Sequence, residues 1–163
     1  MLHLIERLLP AGVHRSLLPL AHKIRHRIRR WRGVPIAGVS VVLTNAAGGV
    51  LLLRHSYGPP VWALPGGGLG RGENPIDAAR REVREELGVM ISDIADLGTI
   101  EETISGSPHT AYLFAAPCEA EPKPDGREII EAHFFAEDAL PAPLGALTER
   151  RLSMWQERRG TVS

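Results

Sequence analysis

Apolar residues recur at Leu2, Ile5, Leu8 and Leu9, and again at Leu17, Leu18, Ala21, Ile24, Ile28 and Trp31, with Pro10 and Gly12 between the two runs. Steps of three and four predict two amphipathic helices, a helical extension over residues 1–32. Gly33 and Pro35 end it. The β-branched run Ile36 to Thr44 predicts a strand, Asn45 to Gly49 a turn, and Val50 to His55 a returning strand, so the pair reads as a hairpin. A loop through Gly58, Pro59 and Pro60 leads to the short apolar piece Val61 to Leu64. The stretch Pro65-Gly66-Gly67-Gly68-Leu69-Gly70 follows, where the chain turns sharply or something approaches its backbone closely. Asn74 as a cap, Pro75 at the first helical position and Gly88 as a stop predict a helix from Pro75 to Leu87, with Ile76, Ala79, Val83 and Leu87 as its buried stripe. Leu97 to Ile104 and Thr110 to Ala116 predict strands joined around Gly106 and Pro108. A further strand covers Ile129 to Phe135, and a helix from Leu144 to Arg158 closes the pattern.

This mixture of strands and helices is that of an α/β protein, and 163 residues suffice for one domain with a core. We place that domain at residues 33–163. Lys plus Arg equals Asp plus Glu at 19 each, yet residues 1–32 hold Arg7, Arg15, Lys23, Arg25, Arg27, Arg29, Arg30 and Arg32 against Glu6 alone. The domain is correspondingly acidic. Cys118 stands alone, which excludes an intramolecular disulfide and makes a reducing cytoplasm the expected compartment. Pro10, His14, Pro19 and the arginines interrupt every apolar run well short of the roughly 20 residues that cross a bilayer. Because the basic run follows the leucines rather than preceding them, the start does not read as an export signal.

Glu82, Glu85 and Glu86 stand at i, i+3 and i+4 of the central helix, on one side of it. Like charges so placed repel by a few tenths of a kcal/mol per pair, and a hard divalent cation would relieve them. Magnesium takes oxygen ligands and few carboxylates, leaving positions for water and phosphate. On spacing alone, a solvated acidic face with Arg81 and Arg84 in surface pairs explains the pattern as well.

The longer pattern changes that balance. Gly67, Glu73 and the run Arg81-Glu82-Val83-Arg84-Glu85-Glu86-Leu87-Gly88-Val89 match, at every position, GX5EX7REUXEEXGU with U aliphatic. At average residue frequencies a chance match is on the order of one in a million or less. The chain thus resembles the Nudix hydrolase family, and Leu64-Pro65-Gly66-Gly67 before the box and Ala-Glu-Asp-Ala-Leu-Pro after it extend the resemblance over Gly33 to Arg158. The resemblance implies an α/β/α sandwich with a mixed sheet, preceded here by the helical extension. It implies cleavage of a nucleoside diphosphate linked to another group, or of a nucleoside triphosphate, with Mg²⁺ or Mn²⁺. Glu82, Glu85 and Glu86 would be the metal carboxylates, with a carbonyl of Gly66 or Gly67 as a further ligand.

Other roles are assigned with their ordinary alternatives beside them. Arg81 would orient a catalytic glutamate through its i, i+4 partner Glu85, or form a surface pair. Glu73, at the helix mouth, reads as structural. The base that activates water would be Glu82, Glu128 or Glu131, with Glu128 preferred of the later two. Trp62 and Tyr57 would stack on a base unless they pack in the core. Arg54 and His55 would contact phosphate unless they are merely exposed, and Gly67 and Gly68 would let substrate approach backbone. Pro108 and Tyr112 lie too far along to mark the ADP-ribose or dinucleoside-polyphosphate branches. The basic extension allows homodimerisation, contact with an anionic membrane surface, or attraction of a polyanion, and the scarcity of aromatics among its arginines argues against nucleic acid. Two alternatives to a small-molecule hydrolase stand: a nucleotide-sensing module without turnover, and an enzyme that trims RNA 5′ ends.

Overall fold

The computed structural model describes residues 36–104, 106–124 and 126–160. The predicted extension over residues 1–32 lies outside them. The elements run β1 (Ile36–Thr44), β2 (Val50–His55), β3 (Trp62–Ala63), β4 (Gly66–Gly68), α1 (Pro75–Leu87), β5 (Ala95–Ile104), β6 (Ser107–Pro117), β7 (Ile129–Phe135), a 3-10 turn (Glu137–Ala139) and α2 (Ala146–Gly160).

All seven strands form one mixed sheet, ordered β3-β2-β1-β6-β5, with β4 on β1 and β7 on β2. β1 and β6 are parallel, Ile36 to Thr44 facing His109 to Pro117. The predicted hairpin pairs its strands only at Thr44 and Val50. Beyond that point they part, because β7 takes one edge of β2 while β3 joins its other edge at Leu53 and Arg54 and β4 joins β1 at Gly38 to Ser40. The glycine stretch therefore fills a split in the sheet.

Alternation along the strands divides the core into two layers. Val39, Val41, Leu43, Leu51, Leu53, Phe114, Ile129 and Ala132 face α1, where Ala78, Ala79, Val83 and Leu87 meet them. Val42, Val50, Leu52 and Leu113 face α2 and cluster with Leu64, Leu152 and Trp155. At about 25 cal/mol per Å² of apolar surface, each of these leucines contributes roughly 1.5–3 kcal/mol by burial. An α/β/α sandwich is the result. Helix α1 begins where Asn74 accepts from the Ile76 N–H and ends where Gly88 takes a left-handed conformation and its N–H donates to the Arg84 carbonyl.

Some expected boundaries moved for identifiable reasons. β5 starts at Ala95 rather than Leu97, with a bulge at Asp96 to Gly98 where the Gly98 N–H donates to the Asp96 carboxylate at 2.6 Å. β6 includes Pro108, expected in a turn. Among the described residues its pairing with β1 begins at His109, so proline interrupts no described ladder on that edge. Leu144 and Gly145 are not helical. Leu144 bridges to Trp62, and the Gly145 N–H donates to the Trp62 carbonyl at 3.0 Å. The stripe of α1 also contains Ala78 and Glu86, so one of the carboxylates expected to lie clear of it is buried.

Candidate active site

Two glycines bring α1 against the sheet. Gly66 has φ of 149°, and a side chain there would strike the Val39 carbonyl oxygen. At Gly67 an added Cβ would stand 2.5 Å from the Glu82 carboxyl carbon, so the missing side chain is what admits that carboxylate. Glu86, 8% exposed, accepts the Gly66 N–H at 2.9 Å and ties the last turn of the helix to the same strand.

Arg81 is the hub of the cluster. Its Nε and Nη2 donate to the two Glu73 oxygens at 2.8 and 3.0 Å, and its Nη1 donates to Glu82 at 2.7 Å and to Glu85 at 3.3 Å. Nη2 also donates to the Gly68 carbonyl at 3.1 Å. The expected i, i+4 contact with Glu85 is thus the longest of its carboxylate contacts. Hydrogen bonding from Arg81, then from the Gly70 N–H, holds Glu73 down to a pKa of about 2, and hydrogen bonding to Glu73, then to Glu82, pushes the Arg81 value up against its burial. Glu82 moves the other way. Burial raises its pKa, Arg81 opposes the rise, and the charges of Glu85 and Glu128 add to it.

Glu73, Glu82 and Glu85 converge on a single guanidinium, so the cluster carries more negative charge than its arginine neutralises. A divalent cation fits that imbalance. Among the described residues, however, no three His, Cys, Asp or Glu side chains already form a cage. One Glu86 oxygen holds the Gly66 N–H, one Glu82 oxygen holds Arg81, and the Glu85 side chain is 55% exposed. Such a donor set suits magnesium, which accepts few carboxylates and completes its shell with water and phosphate oxygens.

The remaining candidates divide between the two faces of the sheet. Glu128 lies close enough to act electrostatically on Glu82, and its carbonyl accepts the Ser56 N–H at 2.8 Å. His55 pairs with Ile129, the residue after Glu128, and its ring lies 5.3 Å from that of Tyr57. Glu131 is held by Arg54 at 2.7 Å, and Arg54 also lies 5.7 Å over the Trp62 ring. Trp62 meets Phe135 edge-on at 4.9 Å and packs with the layer facing α2, so these three stand away from the Glu82 cluster. Sequence reasoning did not find the grip of Glu73 on Arg81 or of Glu86 on Gly66. The first has a trace in the eight-residue separation, and the second has none before the fold is known. It also passed over the buried Ser40, Glu102 and His109 and the half-buried Arg151, which donates to Ser40 and to Glu102 at 2.9 Å each.

A mixed sheet between two helices, with a glycine strand docked under an acidic helix, defines an α/β/α sandwich with a carboxylate-lined cleft. The family described as NUDIX domain matches residues 34–156, and the chain belongs to it. The MutT NUDIX hydrolase of Burkholderia pseudomallei superposes with a TM-score of 0.68 at 27% identity, over 74% of this chain and 98% of that one. The MutT protein of Methanosarcina mazei Go1 does so at 0.61 and 26% identity, over 76% and 96%. By sequence, the RNA pyrophosphohydrolase of Rhodospirillum rubrum is 45% identical over 51 residues, 31% of either chain. The match thus spans about a third of the length of that curated relative. No helix among the described residues is long and apolar enough to cross a membrane.

Proposed function

We propose that the chain is a pyrophosphohydrolase that uses Mg²⁺ or Mn²⁺ to cleave a phosphoanhydride of a nucleotide: a nucleoside triphosphate or a nucleoside diphosphate linked to another group. The observation that carries the reading is Glu82, a carboxylate desolvated against Gly67 and facing Glu85 and Glu128. A solvated acidic face has no reason to bury such a group. Glu82, Glu85 and Glu86 would hold the metal, with a carbonyl of Gly66 or Gly67. When bound, the metal would neutralise charge on the bridging and leaving oxygens of the anhydride.

The chain's own residues supply the rest. Arg81 holds Glu82 and Glu85 in place and is itself anchored by Glu73. Glu128 is the side chain we assign to take the proton from the attacking water, since its charge acts on Glu82, whereas Glu131 lies with Arg54 on the other face of the sheet. Trimming of RNA 5′ ends is a second reading of the same chemistry, favoured by the name of the Rhodospirillum rubrum relative.

The test is turnover of a panel of nucleoside triphosphates, nucleotide sugars, ADP-ribose, dinucleoside polyphosphates and 5′-triphosphorylated RNA, with Mg²⁺ or Mn²⁺, beside a Glu86→Gln variant. Metal-dependent cleavage of one class that collapses in the variant supports the reading and identifies the substrate. Nucleotide binding without cleavage would replace it by the sensing module.

A further inference from the structure

Beneath α2 lies a group of ionisable side chains that the chemistry above does not use. Glu102, on β5, is buried with a side-chain exposure of 1%. Arg151 of α2 donates to it at 2.9 Å, and His109 of β6, its cross-strand partner, places Nδ1 3.6 Å from the same oxygen. Stability does not account for these groups, because apolar side chains of similar volume commonly serve as well or better in place of a buried ion pair. Nor is the group saturated: Glu102 Oε1 and Arg151 Nε are buried without a hydrogen-bond partner.

The far side of the imidazole explains its position better. A Cβ built on Gly38 would stand 3.1 Å from His109 Nε2 and 2.9 Å from the Gly67 carbonyl oxygen, so imidazole and carbonyl both border the space that a glycine of β1 leaves empty. Gly67 is the residue whose other side receives Glu82. Arg151, Glu102 and His109 therefore form a line that ends beside Gly38, across which lies the strand that carries the proposed site.

We propose that His109, held by Glu102 and Arg151, is a positioning residue for Gly67 and thereby sets the geometry of the metal site. This rests on the reading of Gly66, Gly67 and Glu82 given above. Residues that orient metal ligands are typically worth 10–100-fold in metal affinity.

The experiment is Mn²⁺ binding to the purified protein, read from the electron paramagnetic resonance of the free ion, for wild type, His109→Leu, His109→Gln and Gly38→Ala. Leucine keeps bulk but no polar tip, whereas glutamine can present a nitrogen near the place of Nε2. Support would be a roughly tenfold or larger weakening in His109→Leu, substantial recovery in His109→Gln, and weakening again in Gly38→Ala, which intrudes on the carbonyl without touching Glu102 or Arg151. Circular dichroism establishes which variants fold. If His109→Leu does not fold, His109→Asn, whose shorter amide stops well short of the place of Nε2, takes its place in the same readout. Affinities within twofold of wild type in the folded variants overturn the inference and leave a staple between α2 and the sheet. Wild type that binds no Mn²⁺ overturns the metal reading, and this inference with it.

Discussion

Arg81 and Arg151 sit on opposite faces of one sheet, each beside carboxylates, and the charge around them differs. Arg81 lies at the partly exposed edge of α1 among Glu73, Glu82 and Glu85. Arg151 lies under α2 with Glu102 alone and the Ser40 hydroxyl. One arginine is outnumbered and the other is matched. A matched buried pair needs nothing further to neutralise it, whereas an outnumbered arginine leaves a field that attracts a cation. The contrast separates the two clusters by chemistry, although both would look alike as charged residues on amphipathic helices.

The sharpest way to break the contrast is to remove one charge from the outnumbered side. Glu82→Gln should lower kcat by roughly 10²–10⁴-fold, the range typical of a lost acid–base or ligand carboxylate. It should not destabilise the metal-free protein. Because the folded pKa of Glu82 lies above its ordinary value of 4.5, the folded state favours the protonated form, and ionisation as pH rises through that range costs stability. A neutral amide avoids this cost at pH 7. Thermal unfolding without metal should therefore give a Tm equal to or above wild type, and a marked fall would show that Glu82 is a structural partner of Arg81.

On the matched side the expected result is the reverse. Arg151→Met strands Glu102 in the core and should destabilise by about 3–5 kcal/mol in urea unfolding. Pairing it with Glu102→Leu should recover most of that loss, since the isolated charge is then gone. If the double variant is as unstable as the single one, packing rather than charge balance holds α2 in place.

A smaller effect is expected from Arg81→Lys, which keeps the charge but loses the fork that spans Glu73, Glu82 and Glu85 at once. The requirement for Mg²⁺ should rise about 10–100-fold, measured as the metal concentration giving half-maximal turnover. An unchanged requirement would mean that Arg81 neutralises the glutamates without orienting them.

How much of this was legible in the sequence depended on how local its cause was. β1, β2, α1 and β7 begin and end where β-branched runs, the Asn74–Pro75 start and Gly88 place them, because each signal acts within a few residues. Glu82, Glu85 and Glu86 were legible for the same reason. The split of the β1–β2 pair was not, since it depends on β3 and β4 returning to fill it. Nor were the different surroundings of Glu128 and Glu131. They follow from the register of β7 on β2, which shifts between Arg54 and His55. Glu102 and His109 are cross-strand partners in the β5–β6 hairpin, but Arg151 lies far along the chain and joins them only when α2 packs on the sheet.

The gentlest test of the outnumbered cluster is acid. Glu73 has a folded pKa of about 2 against an ordinary 4.5, owing first to the hydrogen bonds from Arg81. A depressed carboxylate contributes stability that is fully present above the unfolded value and is lost as pH falls through the folded one. The Glu73 contribution should therefore decline between about pH 4.5 and pH 2 and be constant above that window. Glu73→Gln, which removes the charge at every pH, should lie below wild type at pH 7 in thermal unfolding and approach it near pH 2. Two curves that stay parallel across the window would mean that the Glu73–Arg81 contact adds nothing to stability, and that Arg81 is held by Glu82 and the Gly68 carbonyl instead.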